Sequence, residues 1–334
     1  MTARFVSTVI ATTGERFADF APYVPSVNDS GTVAFQAALQ RGGTGVFTGN
    51  GGEVAEAADR SQLAGATSHP DLNGAGEMSF YGDLPNDGQG VFLLRDGRLQ
   101  TIADTRGSFA SIGPLGPTMN DAGAVAFRAD RTVGVSGVFV WDGSVVVTVA
   151  ETDSRWSAFH GLPVITSNGA IVFRADRLDG IQGIYAARAG SIRTVVESGD
   201  VFESFGLFPS ANDHETVSFA ATLRVGGAGI FIADDDRINR IVDTDGAFEA
   251  CRGALITNAG EVVIIATPRG GSLGLFAGRD PGADRIVAVG DPLLDSTVAE
   301  LAANPVSVNT VGQVAIRATL ADGTQVILRS DPLR

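Results

Sequence analysis

One short pattern, Asn-x-x-Gly-x-Val-x-Phe, recurs along the whole chain and limits its possible folds more than any other feature. It reads NDSGTVAF from Asn28, NGAGEMSF from Asn73 and NDAGAVAF from Asn120. Weaker copies are TSNGAIVF from Thr166, NDHETVSF from Asn212, TNAGEVVI from Thr257 and NTVGQVAI from Asn309. Successive copies are 45, 47, 46, 46, 45 and 52 residues apart. A period of this length marks a repeat architecture, whose units bury their faces only against one another.

Each repeat divides into four short strands, A to D. Strand A is a stretch such as PSV, HPDL or PTM just before the asparagine. The N-x-x-G turn follows, because Asn and Gly tolerate the positive φ of tight hairpins. Alternation such as Val33-Ala34-Phe35 and Val125-Ala126-Phe127 then reads as strand B, with one face sealed against the next unit. Strand C opens on glycine and two apolar residues. Examples are Gly45-Val46-Phe47, Gly90-Val91-Phe92 and Gly183-Ile184-Tyr185, with Gln325-Val326-Ile327 in the last copy. Strand D is apolar, as in Leu99 to Ala103 and Ile192 to Val196.

Four-stranded units of this length are propeller blades. The period is too long for a parallel β-helix, and no helical periodicity appears. The expected fold is all-β, a seven-bladed β-propeller of four-stranded antiparallel blades forming one domain over residues 1–334. Repeats are expected near 22–66, 67–113, 114–159, 160–205, 206–250, 251–301 and 302–331. The seventh repeat has no D strand after Thr324 to Arg329. Phe5 to Ala11 resembles one, so an N-terminal strand at 4–11 is expected to complete blade 7 and cover its open edge.

Charge and composition exclude several chemistries. A net charge of −14 opposes nucleic-acid binding, which needs clustered cations. All 24 basic residues are arginine. Schiff-base, phosphate-loop and general-base lysines are therefore excluded. A single cysteine, Cys251, permits no internal disulfide. No apolar run is long enough for a membrane helix. Met1 to Phe17 lacks the layout of a signal peptide, so a cytoplasmic monomer is expected, or an exported one where a leader has been removed.

The motif resembles the bacterial tandem repeat described as NxxGxxAF. The segments from Val196 to Leu223 and from Val289 to Asp295 resemble the linkers of that family. The resemblance spans essentially the whole chain. It implies a fold and no reaction, since members are commonly exported and uncharacterised.

Positions that recur in every repeat serve the fold, so departures at one register are the candidates for function. By analogy with other propellers, ligands are expected where the D–A and B–C loops surround one mouth of the channel. The residue after the strand B phenylalanine is Gln36, Tyr81, Arg128, Arg174, Ala220, Ile265 or Arg317 in turn. Two further on stand Ala38, Asp83, Asp130, Asp176, Thr222, Thr267 and Thr319. Blade 2 departs most, with Tyr81, Asp83 and a strand A reading His69-Pro70-Asp71. His69, Tyr81 and Asp83 are the candidate proton-transfer groups. Arg128 and Arg174 could hold a carboxylate or enolate oxygen. Tyr23, His160 and Arg317 complete the candidate substrate-binding set.

Structural alternatives stand beside each of these. The repeated Arg-Ala-Asp-Arg of blades 3 and 4 could be an interblade salt bridge, and His69 a satisfied loop histidine. Trp156 to His160 echoes Phe17-x-x-Phe20 and Phe202-x-x-Phe205, which read as D–A loops with an aromatic interblade plug. Cys251 reads as an inert buried thiol, and His214 lies on the opposite face. Three scattered histidines offer no zinc spacing. No cofactor is expected, with a structural calcium in the channel as the open alternative. Two functions follow. One is a small-molecule propeller for an anionic or phenolic ligand, as a cofactor-independent lyase, cyclase or alkyl-transfer enzyme. The other is a noncatalytic interaction or cell-envelope propeller.

Overall fold

The computed structural model describes residues 4–58, 63–132, 134–235 and 237–333. Seven small antiparallel sheets form a ring, a seven-bladed β-propeller. In blade 1, Phe17–Asp19 and Ser26–Val27 both pair with strand B, Val33–Leu39. Strand C, Thr44–Gly49, and strand D, Ala55–Glu56, follow outward. The same order recurs around the ring. Blade 7 takes its outer strand from the N-terminus, where Phe5–Thr12 pairs antiparallel with Gln325–Pro332.

Strand A begins earlier than the repeat motif suggests. Phe17–Asp19, Phe202–Phe205 and the first half of Trp156–Ile165 are strand, where D–A loops are expected from sequence. Strand A is interrupted midway, and its two halves pair with one strand B. The break hides the first half from any search anchored on the asparagine.

Each blade has no core of its own; the cores lie at the seams. Ala34 and Val46 of blade 1 pack with Phe80 and Phe92 of blade 2. Ala126 and Val138 of blade 3 pack with Trp156 and Phe173 of blade 4. Within these cores the strand B and strand C aromatics stack, as Phe35 on Phe47 and Phe219 on Phe231. The first aromatic of strand A inserts edge-on, as Phe17 and Phe202 do. The F-x-x-F echo is thus an interblade filler carried by a strand. The strand C glycine makes room for the folded-back ring: a Cβ at Gly90 or Gly229 would lie 3.0 Å from Phe92 or Phe231.

The turn asparagine performs two tasks in each of the five blades that carry it. Its Oδ1 closes the A–B turn, accepting from Thr32 N on Asn28 and from Glu77 N on Asn73. Its Nδ2 donates to the same carbonyl of the next blade. Asn28 reaches Asn73 O at 3.0 Å, Asn120 reaches Thr166 O at 3.1 Å and Asn212 reaches Thr257 O at 3.1 Å. Asn309 reaches Asn28 O at 2.9 Å and so ties blade 7 to blade 1.

Candidate functional site

Across the ring, the innermost strands meet in an apolar cluster. Leu162 and Val164 of blade 4 contact Val306 of blade 7, with Leu115, Phe208 and Ala211 packed around them. Blades 4 and 7 thus meet in an apolar plug.

At the A–B turn end, a polar hollow of about 160 Å³ is lined by turns from all seven blades. Its asparagines already serve the seams. Two residues before Asn120, Asn212 and Asn309, hydroxyls bridge neighbouring innermost strands. Thr118 Oγ1 donates to Pro163 O and accepts from Ile165 N, and Ser210 Oγ accepts from Ile256 N. Asp71 takes this register in blade 2, accepting from Met119 N at 2.7 Å and Leu72 N at 2.9 Å. Burial raises its carboxyl pKa to about 7. A protonated carboxyl, like a hydroxyl, both accepts and donates, so this register suits the neutral acid. In HPD, sequence reasoning favours the histidine; the structure gives the unusual chemistry to Asp71.

At the other end, the sequence candidates separate into groups. His69 is buried against Leu115, Gly116 and Pro117, where a Cβ on Gly116 would lie 2.6 Å from its ring. Burial lowers its pKa to about 4, so it is neutral at physiological pH. Tyr81 is sealed in the seam between blades 2 and 3, where its hydroxyl accepts from Arg128 N at 3.2 Å. Burial pushes its pKa well up. Neither side chain is open to solvent in this conformation. Asp83 lies near enough to Tyr23 for its charge, added to burial, to raise the Tyr23 pKa.

Arg128 crosses its seam to Gly161 O at 3.0 Å, and Arg317 reaches toward Pro22 O across the closing seam. Both guanidiniums, and that of Arg174, have their hold on the proton weakened by burial. Among the described residues, the Arg-Ala-Asp-Arg segments make no blade-to-blade bridge through their second arginine. Arg131 pairs with Glu151 and Arg177 with Glu197 and Asp179, each within one blade.

Blade 4 assembles a group with open chemistry. His160 Nε2 lies 2.9 Å from Asp176 Oδ2, and both side chains are partly exposed. Arg174 is 6% exposed; its Nη2 donates to Gln182 Oε1 at 2.9 Å and stands 3.8 Å from Asp176 Oδ1. Arg174 Nε and Asp176 Oδ1 are both buried without a hydrogen-bond partner. An imidazole oriented by a carboxylate can take or give a proton, and the adjacent cation can hold an anion. Asp176 occupies the register that singles out Asp83 in sequence; only the fold shows that His160 is its partner.

Cys251 is half-buried, and burial raises its thiol pKa to about 11, which disfavours the thiolate. Among the described residues, no three His, Cys, Asp or Glu side chains form a metal-holding group.

No protein family model and no curated protein matches the chain. Solved structures share its fold. An oligogalacturonate lyase in complex with manganese has a TM-score of 0.64 at 10% identity, covering 100% of this chain and 99% of that one. A Mycobacterium tuberculosis puromycin-hydrolyzing peptidase scores 0.59 at 13% identity, covering 94% of this chain and 52% of its own. A chain of the mitotic checkpoint complex scores 0.52 at 14% identity, covering 98% and 93%. At these identities the likeness establishes the propeller fold that the chain shares with them.

Proposed function

We propose that this propeller binds a small anionic molecule at the channel mouth on the D–A loop face, and acts on it by proton transfer through His160. The observation that carries this reading is the His160–Asp176–Arg174 group, with its partly exposed imidazole and its buried, unpartnered guanidinium nitrogen. Asp176 orients the ring, and Arg174 supplies the positive charge that an enolate or carboxylate needs. A lyase and a peptidase with this ring support a catalytic propeller. No organic cofactor enters the reading. We also assign the repeat to the NxxGxxAF type, on its residues alone.

The test is thermal denaturation with a panel of small carboxylates and phenolates, on wild type, Arg174→Gln and His160→Gln. Gln36 fills the Arg174 register in blade 1, so the fold accepts glutamine there. A ligand at a hundred times its Kd stabilises by about 2.7 kcal/mol. A ligand that stabilises wild type is expected to lose its effect on Arg174→Gln. It should keep its effect on His160→Gln, which then fails to turn it over. A panel that shifts nothing, or shifts Arg174→Gln equally, would overturn the reading.

A noncatalytic role is the second reading. The apolar plug at the centre of the ring favours it, since it fills space that a substrate channel would need.

A further inference from the structure

At the register after the strand B phenylalanine, four blades send a long side chain across the seam to the next blade. Gln36 reaches Ala66 O, Tyr81 meets Arg128 N, Arg128 reaches Gly161 O and Arg317 reaches toward Pro22 O. In blade 6 that residue is Ile265, which is too short to cross. The seam between blades 6 and 7 is left with a cavity of about 250 Å³ on the D–A loop face. Ile265, Leu273, Leu275 and Leu301 give it an apolar wall, and Phe208 of the plug borders it.

Two polar groups line the same cavity. Asn304 is 7% exposed; its Oδ1 accepts from Val306 N, and its Nδ2 has no hydrogen-bond partner among the described residues. Arg252 is exposed and makes no ion pair among the described residues, in a chain of net charge −14. An apolar wall, one unpartnered amide donor and one exposed cation without an ion pair among the described residues define a ligand class.

We infer that this cavity takes a small amphiphilic monocarboxylate, its apolar body against Ile265 and its carboxylate on Arg252 with Asn304 as donor. A void of about 150 Å³ accepts benzene, so a phenyl-sized body fits. Gly161, which Arg128 contacts, would place a Cβ 3.6 Å from the Phe208 ring. Phe208 therefore borders both this cavity and the Gly161 turn that Arg128 holds. The inference goes beyond the reading above: His160 and Arg174 do not line this cavity, so the two sites are tested separately.

The experiment is equilibrium binding of 3-phenylpropionate, propionate and 3-phenylpropanol to the full chain. Variants are Ile265→Tyr, Ile265→Gln, Arg252→Gln and Arg174→Gln. Tyr81 and Gln36 hold the Ile265 register elsewhere, so both fillings suit the fold. Phenylpropionate should bind at least about tenfold tighter than propionate, as burial of several apolar carbons requires. Either Ile265 variant should reduce it to the propionate level. Arg252→Gln should weaken phenylpropionate roughly three- to fivefold, the scale of an exposed ion pair, and leave the alcohol unchanged. Equal binding of phenylpropionate and propionate overturns the inference. If Arg174→Gln abolishes binding while the Ile265 variants do not, the anion site stands and this cavity falls. If the Ile265 variants abolish binding while Arg174→Gln does not, the cavity stands as a site of its own, independent of blade 4.

Discussion

Two buried titratable residues of blade 2, His69 and Asp71, give stability opposite dependences on pH. The Asp71 pKa is raised from 3.8 to about 7 in the fold. Its folded form therefore binds a proton that the unfolded chain has released. Stability from this residue is greatest near pH 4 and declines until about pH 7, by roughly 4 kcal/mol. The His69 pKa is lowered from 6.5 to about 4. Its contribution is complete above pH 6.5 and is lost as the pH falls toward 4. In that shared window the slopes oppose one another. Asp71→Ser places a hydroxyl where Ser26, Ser210 and Ser307 already stand. It should leave only the histidine slope, so that the urea midpoint rises from pH 4 to 6.5, and it should stabilise the protein at pH 8. A variant whose midpoint tracks wild type across this range would exclude the buried acid. The turn asparagines lend themselves to the same residue-level test. Asn28→Ala removes both the acceptor for Thr32 N and the donor to Asn73 O. The loss should be roughly 1–3 kcal/mol by urea denaturation, because buried partners are left unsatisfied.

At the level of the strand, the N-terminal segment is the closing piece. Phe5–Thr12 pairs along Val326 to Pro332, and Ile10 and Ala11 enter the core between blades 7 and 1. Removing residues 1–12 bares a full strand edge and opens that core. The truncated chain should self-associate, as measured by light scattering, and a peptide spanning residues 4–13 added in trans should restore the mass seen for the full chain. A truncated chain that remains monomeric and equally stable would show that the strand is dispensable. This strand is legible in sequence because it resembles the D strands of other blades. The first half of strand A is not, because residues such as Ala21 to Pro25 interrupt it before the asparagine that sets the register. His160 consequently reads as a loop residue. Its pairing with Asp176 depends on a strand register that one sequence does not display. Tyr81 departs from the repeat as strongly as a catalytic residue would, yet it fills a seam. Departure from a repeat marks a changed neighbour as readily as a changed function.

At the scale of the ring, stability is distributed over seven seams that are not equivalent. Asparagine amides bridge the turns of blades 1 to 2, 3 to 4, 5 to 6 and 7 to 1, and Asn73 bridges 2 to 3 at the longer distance of 3.4 Å. The two threonine copies lack that donor. Between blades 4 and 5, Asp213 accepts from Ser167 N, and Glu215 pairs with Arg188 and Arg193. Between blades 6 and 7, the turns have no such bridge among the described residues. That seam also has the 52-residue spacing, the D–A face cavity and a second cavity of about 290 Å³ beside Thr257 and Gly312. The carbonyl that would complete it is in place. Asn309 O accepts only from Gly312 N, whereas Asn28 O accepts from Gly31 N and from the Asn309 amide. Thr257→Asn should therefore supply the missing bridge and add about 1 kcal/mol of stability, seen as a higher urea midpoint with unchanged slope. Thr166→Asn, at a seam already held by Asp213 and Glu215, should add less. If neither change raises the midpoint, the asparagine amides close turns and do not hold the ring. If Thr257→Asn stabilises without altering ligand binding, the two ends of the loosest seam act independently across the central plug.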